Sequence, residues 1–80
     1  MSSREKREQR IRNNPSNVSL EDFEALINQY GHIREGAKHP QAVIGKIFMP
    51  YRRTTPVRLA YVKELLHWID TVFPPKGSKS

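Results

Sequence analysis

The sequence predicts an α+β domain, a two-layer sandwich in which two helices cover one face of a small three-stranded antiparallel sheet. Apolar residues recur at three- and four-residue steps in 20–30 and again in 62–73. The segment between them changes to alternating, extended patterns interrupted by glycine and proline. The third observation is the length, because 80 residues can bury one compact core and no more.

The first 17 residues predict a basic N-terminal arm that is partly helical. Residues 3–12 are compatible with a helix, but Ile11 is their one large apolar side chain, so the segment has no apolar face to bury. Pro15, in a run of asparagine and serine, ends it. The arm could contact phosphates or a protein partner, and the alternative is a frayed, solvated end.

The first core helix is predicted to begin after Ser19. Ser19 and Asp22 have the spacing of a capping box, in which the hydroxyl accepts from an unpaired backbone amide of the first turn. Gly31 follows the helix, where a left-handed C-terminal cap is expected. The apolar stripe that should face the core comprises Leu20, Phe23, Leu26, Ile27 and Tyr30.

Three short strands are predicted at 32–35, 41–44 and 46–51. Gly45 and Lys46 join the last two, and glycine at the first position of a two-residue loop favours a type II′ hairpin. In the third strand Ile47, Met49 and Tyr51 share one side, which predicts that they face the helices.

The last helix is predicted to have Thr54 or Thr55 as its N-cap and Pro56 at its first position. Pro74 and Pro75 stop it, so residues 18–73 form the single folded domain and 74–80 a disordered tail. Its buried stripe is predicted to comprise Val62, Leu65, Leu66, Ile69 and Phe73.

Positive charge is concentrated in the segment Gly31–Arg58. The chain carries a formal charge of +6, and this segment holds six lysines and arginines against the single Glu35. The first core helix is acidic by contrast. Cations gathered on one layer of a small domain favour a polyanion such as nucleic acid, and the alternative is a solubilising surface.

The order helix, three antiparallel strands, helix is that of double-stranded-RNA-binding domains. Over about residues 10–70, two parts of the sequence are specific: the turn G-A-K-H-P at 36–40 and the run P-V-R-L-A-Y-V-K-E-L-L at 56–66. With these parts the chain resembles the HicA family of small toxins from type II toxin–antitoxin systems.

The resemblance implies an endoribonuclease that cleaves messenger RNA without a metal or cofactor and is neutralised by a HicB-type antitoxin protein. The family's catalytic histidine lies in a Gly-Ser-His turn before the second strand. His39 is the match, one residue later and with Ala37 in place of the serine. The family often has a basic residue or histidine after the strand-terminal proline, and here Arg52 and Arg53 follow Pro50 and Tyr51.

Cleaving RNA without a metal requires a base for the 2′-hydroxyl, a cation for the charge that grows on the phosphorane, and a proton for the leaving oxygen. His39 suits proton transfer, because an imidazole exchanges protons near neutral pH. The alternative is that His39, beside a proline in a polar turn, is a solvated loop residue. The cations predicted to bind RNA phosphates are Lys38, Arg52, Arg53, Lys46 and Arg34.

No metal site is predicted, because three histidines without cysteine or a close acidic partner make a poor zinc pattern, and His32 and His67 are weaker candidates for chemistry. No apolar run reaches the roughly 18 residues that cross a bilayer, and the N-terminus is charged where a signal peptide would be apolar. We therefore expect a cytoplasmic protein with no membrane partner.

Three functions remain open at this point. The first is the RNA endonuclease toxin, and the second is an RNA-binding module of the same fold without catalysis. The third is a protein-interaction domain whose basic face docks an acidic partner.

Overall fold

The structure is a computed structural model that describes residues 3–36 and 38–74. In chain order the elements are α1 Ser3–Asn13, α2 Leu20–Tyr30, β1 His32–Arg34, β2 Gln41–Ile44, β3 Ile47–Pro50 and α3 Leu59–Val72. The strands form an antiparallel sheet in the order β1-β2-β3. The predicted α+β class with an additional N-terminal helix is confirmed. Most of the predicted disordered tail lies outside the described residues.

An apolar cluster joins the helices to one face of the sheet. Met49 and Tyr51 point into it, as the alternation of β3 predicts, while Phe48 lies on the other face and is 51% exposed. Phe73 was predicted in the buried stripe of α3, and this is wrong: it is 45% exposed. The helix ends one residue earlier, so Phe73 leaves the helical period, and its ring packs at 5.5 Å against that of Tyr30.

Of the two caps predicted for α2, the N-cap is confirmed and the C-cap is wrong. The Ser19 hydroxyl oxygen accepts a hydrogen bond from the Asp22 amide at 3.1 Å, which confirms the predicted cap. The prediction of a left-handed cap at Gly31 is wrong, since the φ of −161° at Gly31 is that of extended backbone. Glycine is required there for another reason: a Cβ at position 31 would lie 1.9 Å from the Val43 carbonyl oxygen. Strand β2 passes too close for any side chain.

The β2–β3 hairpin has the predicted type II′ geometry. Ile44 pairs with Ile47, which leaves Gly45 and Lys46 as the loop. Gly45 has a φ of 61°, whereas no non-glycine residue in the described part of the chain, Lys46 included, has a positive φ. A type I′ turn needs positive φ at both loop positions, so this loop is type II′.

Helix α3 begins later than predicted. It starts at Leu59, with Arg58 in the N-cap position and no side-chain cap, rather than behind Thr54 or Thr55. The Val57 amide donates a hydrogen bond to the Val18 carbonyl at 2.8 Å, and Val57 is buried. This pairing holds residue 57 against the segment before α2, so the helix can form only after it.

Helix α1 is continuous and packs on the rest of the domain. The sequence predicts a partly helical arm there and does not predict this packing. Ile11 is 2% exposed and belongs to the core. Arg12 donates hydrogen bonds to both carboxylate oxygens of Asp70 in α3, at 2.8 and 3.1 Å. Arg10 donates to Asp22 in α2 at 2.8 Å. These ion pairs hold a helix that has one large apolar anchor.

The contact between α1 and α2 makes stability sensitive to alkaline pH. The Tyr30 hydroxyl donates to Glu8 at 2.6 Å, and burial, together with this bond, raises the pKa of Tyr30 to about 12. The unfolded value is about 10, so the contribution is complete below pH 10 and is lost as the pH rises towards 12. We expect the free energy of unfolding, measured by urea titration, to fall less steeply over this window in Tyr30→Phe than in the parent. Parallel curves would contradict the assignment.

Candidate functional site

A shallow depression of about 400 Å³ lies where the turn before β2, the chain after β3 and the start of α3 meet. We call it the His39 pocket, and its lining residues are His39, Pro50, Tyr51, Arg52, Tyr61 and Glu64. Three separate segments of the sequence contribute to it. It therefore exists only in the folded domain.

Backbone pairing places His39 beside Arg52. Beyond the last ladder pair of β2 and β3, the Tyr51 amide donates a hydrogen bond to the Pro40 carbonyl at 3.1 Å. The same antiparallel register, continued by one residue, puts His39 opposite Arg52. Both side chains are exposed to solvent.

Tyr51 provides a fixed wall for the pocket. Its ring is 1% exposed and packs edge-on against Phe23, with 5.1 Å between centroids. Its hydroxyl donates to Glu24, and burial together with this bond raises the pKa of Tyr51. The residue is part of the core, as its place in the alternation of the predicted strand 46–51 indicates, and its ring is not available to stack on a base.

Tyr61 and Glu64 were not identified as site residues from the sequence. Tyr61 is partly buried, packs against the core cluster and also lines the pocket. The two lie three residues apart, so they share one face of α3. That spacing was visible in the sequence, but nothing there indicated that the start of α3 lies against the end of β3.

The structure divides the cations into paired and unpaired ones. Arg53, predicted to bind phosphate, is paired: it donates to Glu24 at 2.7 Å and to Glu35 at 2.6 and 3.1 Å. The guanidinium holds the pKa of Glu35 below its usual range, and the two carboxylates raise that of Arg53. With its fork occupied, Arg53 is a structural residue here. Among the described residues, the other ion-paired arginines are Arg7, Arg10 and Arg12.

Within residues 3–36 and 38–74, the other four predicted phosphate ligands have no acidic partner. Arg52 lines the His39 pocket, and Lys38 directly precedes His39 and is exposed. Lys46 lies in the β2–β3 loop, at the opposite end of the strands. Arg34 lies on the outer face of the sheet, 5.8 Å from the centroid of the Phe48 ring. The predicted ligands are therefore spread from the turn before β2 to the β2–β3 loop and do not form one cluster.

The pocket combines an imidazole, a guanidinium, a carboxylate and a phenol. In the described part of the chain, the side chains of His39, Arg52 and Glu64 make no hydrogen bond or ion pair with one another or with other residues. These groups can transfer protons and hold an anion. His32 and His67 do not line the pocket. Among the described residues no group of three histidine, cysteine or acidic side chains could hold a metal ion.

No protein-family model, curated protein or solved structure matches this chain. The likeness to the HicA family rests on the residues quoted from the sequence. In the described residues, no helix is both long and apolar enough to cross a membrane.

Proposed function

We propose that the protein is a small RNA-binding toxin that acts as a metal-independent endoribonuclease on messenger RNA in the cytoplasm and is neutralised by a HicB-type antitoxin. One observation carries the proposal: His39 and Arg52 line one solvent-open pocket, and neither is held by another described side chain. A histidine and a free arginine together meet the main needs of metal-free RNA cleavage.

In the proposed reaction His39 accepts the proton of the 2′-hydroxyl. The 2′ oxygen attacks the adjacent phosphorus, and the bond to the 5′ oxygen breaks. Arg52 binds the non-bridging oxygens, where its fork matches the phosphate as negative charge grows. The leaving oxygen takes a proton from water, which reaches this open pocket, and the hydroxide that remains takes up the proton that His39 accepted. The products are a 2′,3′-cyclic phosphate and a 5′-hydroxyl.

The test is cleavage of a folded messenger-RNA fragment by purified protein in excess chelator. We expect cleavage without added metal and products that end in a cyclic phosphate. After the cut site is mapped, a substrate with a 2′-deoxy nucleotide at that position should resist. Equal cleavage of the two substrates would exclude attack by the 2′-hydroxyl.

The alternative is a non-catalytic RNA-binding module of the same fold. It is favoured by the Gly36–His39 turn, which has Ala37 where the family has serine and one residue more before the histidine. RNA binding without cleavage in the same assay would support it. If affinity for RNA does not change between low and moderate salt, phosphate contacts are not the basis of binding, and the protein-interaction domain becomes the better hypothesis.

The antitoxin proposal has its own test. Expression of the protein should arrest growth, and co-expression of a small acidic protein encoded beside it should restore growth. Restored growth without a complex between the two purified proteins would contradict direct neutralisation.

Arg52 and Arg53 form a matched pair for locating the phosphate site. They are adjacent and carry the same charge, but in the described residues Arg53 is held by two carboxylates and Arg52 by none. Arg52→Ala should weaken RNA binding across sequences and reduce the slope of log affinity against log salt by about 1. Arg53→Ala should leave that slope near the parent's. Equal losses in both would show that total charge, and not the pocket, determines binding.

A further inference from the structure

The face of the sheet opposite the helices carries a second, aromatic feature. Register aligns its residues in two cross-strand rows. We call this surface the open sheet face, and its residues are His32, Val43 and Phe48 in one row and Arg34, Gln41 and Pro50 in the other. The described helices pack on the other face, through Ala42, Ile44 and Met49.

Phe48 is the exposed aromatic residue of this surface. Its side chain is 51% exposed, and the Arg34 guanidinium lies 5.8 Å from the ring centroid. Val43, between His32 and Phe48 in its row, is 5% exposed although it is not part of the core cluster. The guanidinium therefore covers one face of the ring, and a nucleic-acid base can stack on the other face of the ring or on the far side of the guanidinium plane.

The open sheet face is continuous with the His39 pocket. Pro50 belongs to both, since it ends the second cross-strand row and also lines the pocket. Phe48 lies four residues before Arg52, on the same side of the chain that runs through β3 and beyond it, about 13 Å away along the strand. An extended RNA strand covers this distance within a few nucleotides, so RNA with a phosphate at His39 and Arg52 would place a nearby base at Phe48.

The cations near the open sheet face also favour a nucleic-acid ligand. In the described residues Arg34 has no acidic partner, and Lys46, at the far end of β3, has none either. The nearby Glu35 is already paired with Arg53. Cations along a track with an exposed ring between them are typical of surfaces that bind single-stranded nucleic acid, because every base has a flat face.

We propose that the open sheet face binds an unpaired nucleotide near the scissile phosphate, stacked on Phe48 and Arg34. The substrate class is therefore single-stranded RNA or a loop, because paired bases in a duplex do not expose their flat faces. The inference rests on the proposed RNA function, but it concerns binding and not cleavage.

The experiment uses His39→Ala protein, so that the probe stays intact whether or not the parent cleaves RNA. Fluorescence anisotropy measures the affinity for an unstructured RNA oligonucleotide and for a blunt duplex of the same strand. Adding Phe48→Ala should weaken single-strand binding at least about fivefold and leave duplex binding unchanged. Phe48→Tyr should restore it. An oligonucleotide containing 2-aminopurine should show a fluorescence change on binding that Phe48→Ala removes.

Phe73→Ala is the matched control, since Phe73 is similarly exposed at 45% but packs on Tyr30 at the end of α3. It should leave both affinities unchanged. Three results would overturn the inference. The first is that adding Phe48→Ala leaves the single-strand affinity of the His39→Ala protein unchanged. The others are that it weakens single-strand and duplex binding equally, or that the protein binds no RNA at all. If Phe48→Ala loses single-strand binding but the parent protein never cuts RNA, the open sheet face stands and the endonuclease proposal fails.

Discussion

We expect His39→Ala to abolish RNA cleavage and the growth arrest caused by expression, and the variant to fold like the parent. His39 is the one histidine in the pocket lining, and general-base catalysis typically contributes about 10²–10⁴-fold to the rate. Its side chain is exposed in a turn and makes no hydrogen bond in the described part of the chain, so its loss removes little packing. We expect cleavage to fall by at least about a hundredfold, with an unchanged thermal midpoint. Lys38→Ala should have a smaller effect, through weaker phosphate binding.

His67→Ala is the control for this experiment. His67 is exposed on α3, where its ring packs at 4.7 Å against Trp68, and it does not line the pocket. Cleavage by this variant should match the parent. If His39→Ala cuts RNA as fast as the parent, the resemblance to the HicA family at this turn is superficial, and any cleavage arises elsewhere.

We expect Leu65→Ala to lower the free energy of unfolding by about 2–5 kcal/mol. Leu65 is 0% exposed in the middle of α3, so truncation removes buried contacts and leaves a cavity. Small domains have about 5–15 kcal/mol in total, so the loss is a large part of the stability. Leu26→Ala, equally buried in α2, should behave in the same way.

Chemical denaturation measures this loss, and Leu59→Ala is the matched control because Leu59 lies on the same helix and is 39% exposed. Leu59→Ala should lower the free energy of unfolding much less than Leu65→Ala does. A change below about 0.5 kcal/mol for Leu65→Ala would mean that the buried face of α3 has been assigned incorrectly.

The class of fold and the core were predictable because they depend on local patterns. Apolar spacing gave α2 and α3, and alternation put Met49 and Tyr51 on the helix side of β3. The Ser19 cap and the type II′ loop at Gly45 were equally local, since each depends on residues within three positions. The proximity of His39 and Arg52 also follows from local pairing, because the tight hairpin sets the register of the strands before and after it.

The remaining features depend on residues that are far apart in the sequence, and only the tertiary structure determines them. Arg12 reaches Asp70 from 58 positions away, and this long-range pair docks a helix that looks solvated in isolation. Arg53 resembles Arg52 in the sequence, but Glu24 and Glu35 on other elements occupy it and leave Arg52 free for an anion. Three further features depend on such long-range contacts. The close approach of β2 requires glycine at position 31, and the backbone hydrogen bond between residues 57 and 18 makes α3 begin later. Packing of α3 brings Glu64 into the same pocket as His39. Propensity and spacing act over a few neighbours, whereas these contacts form when distant segments share one core.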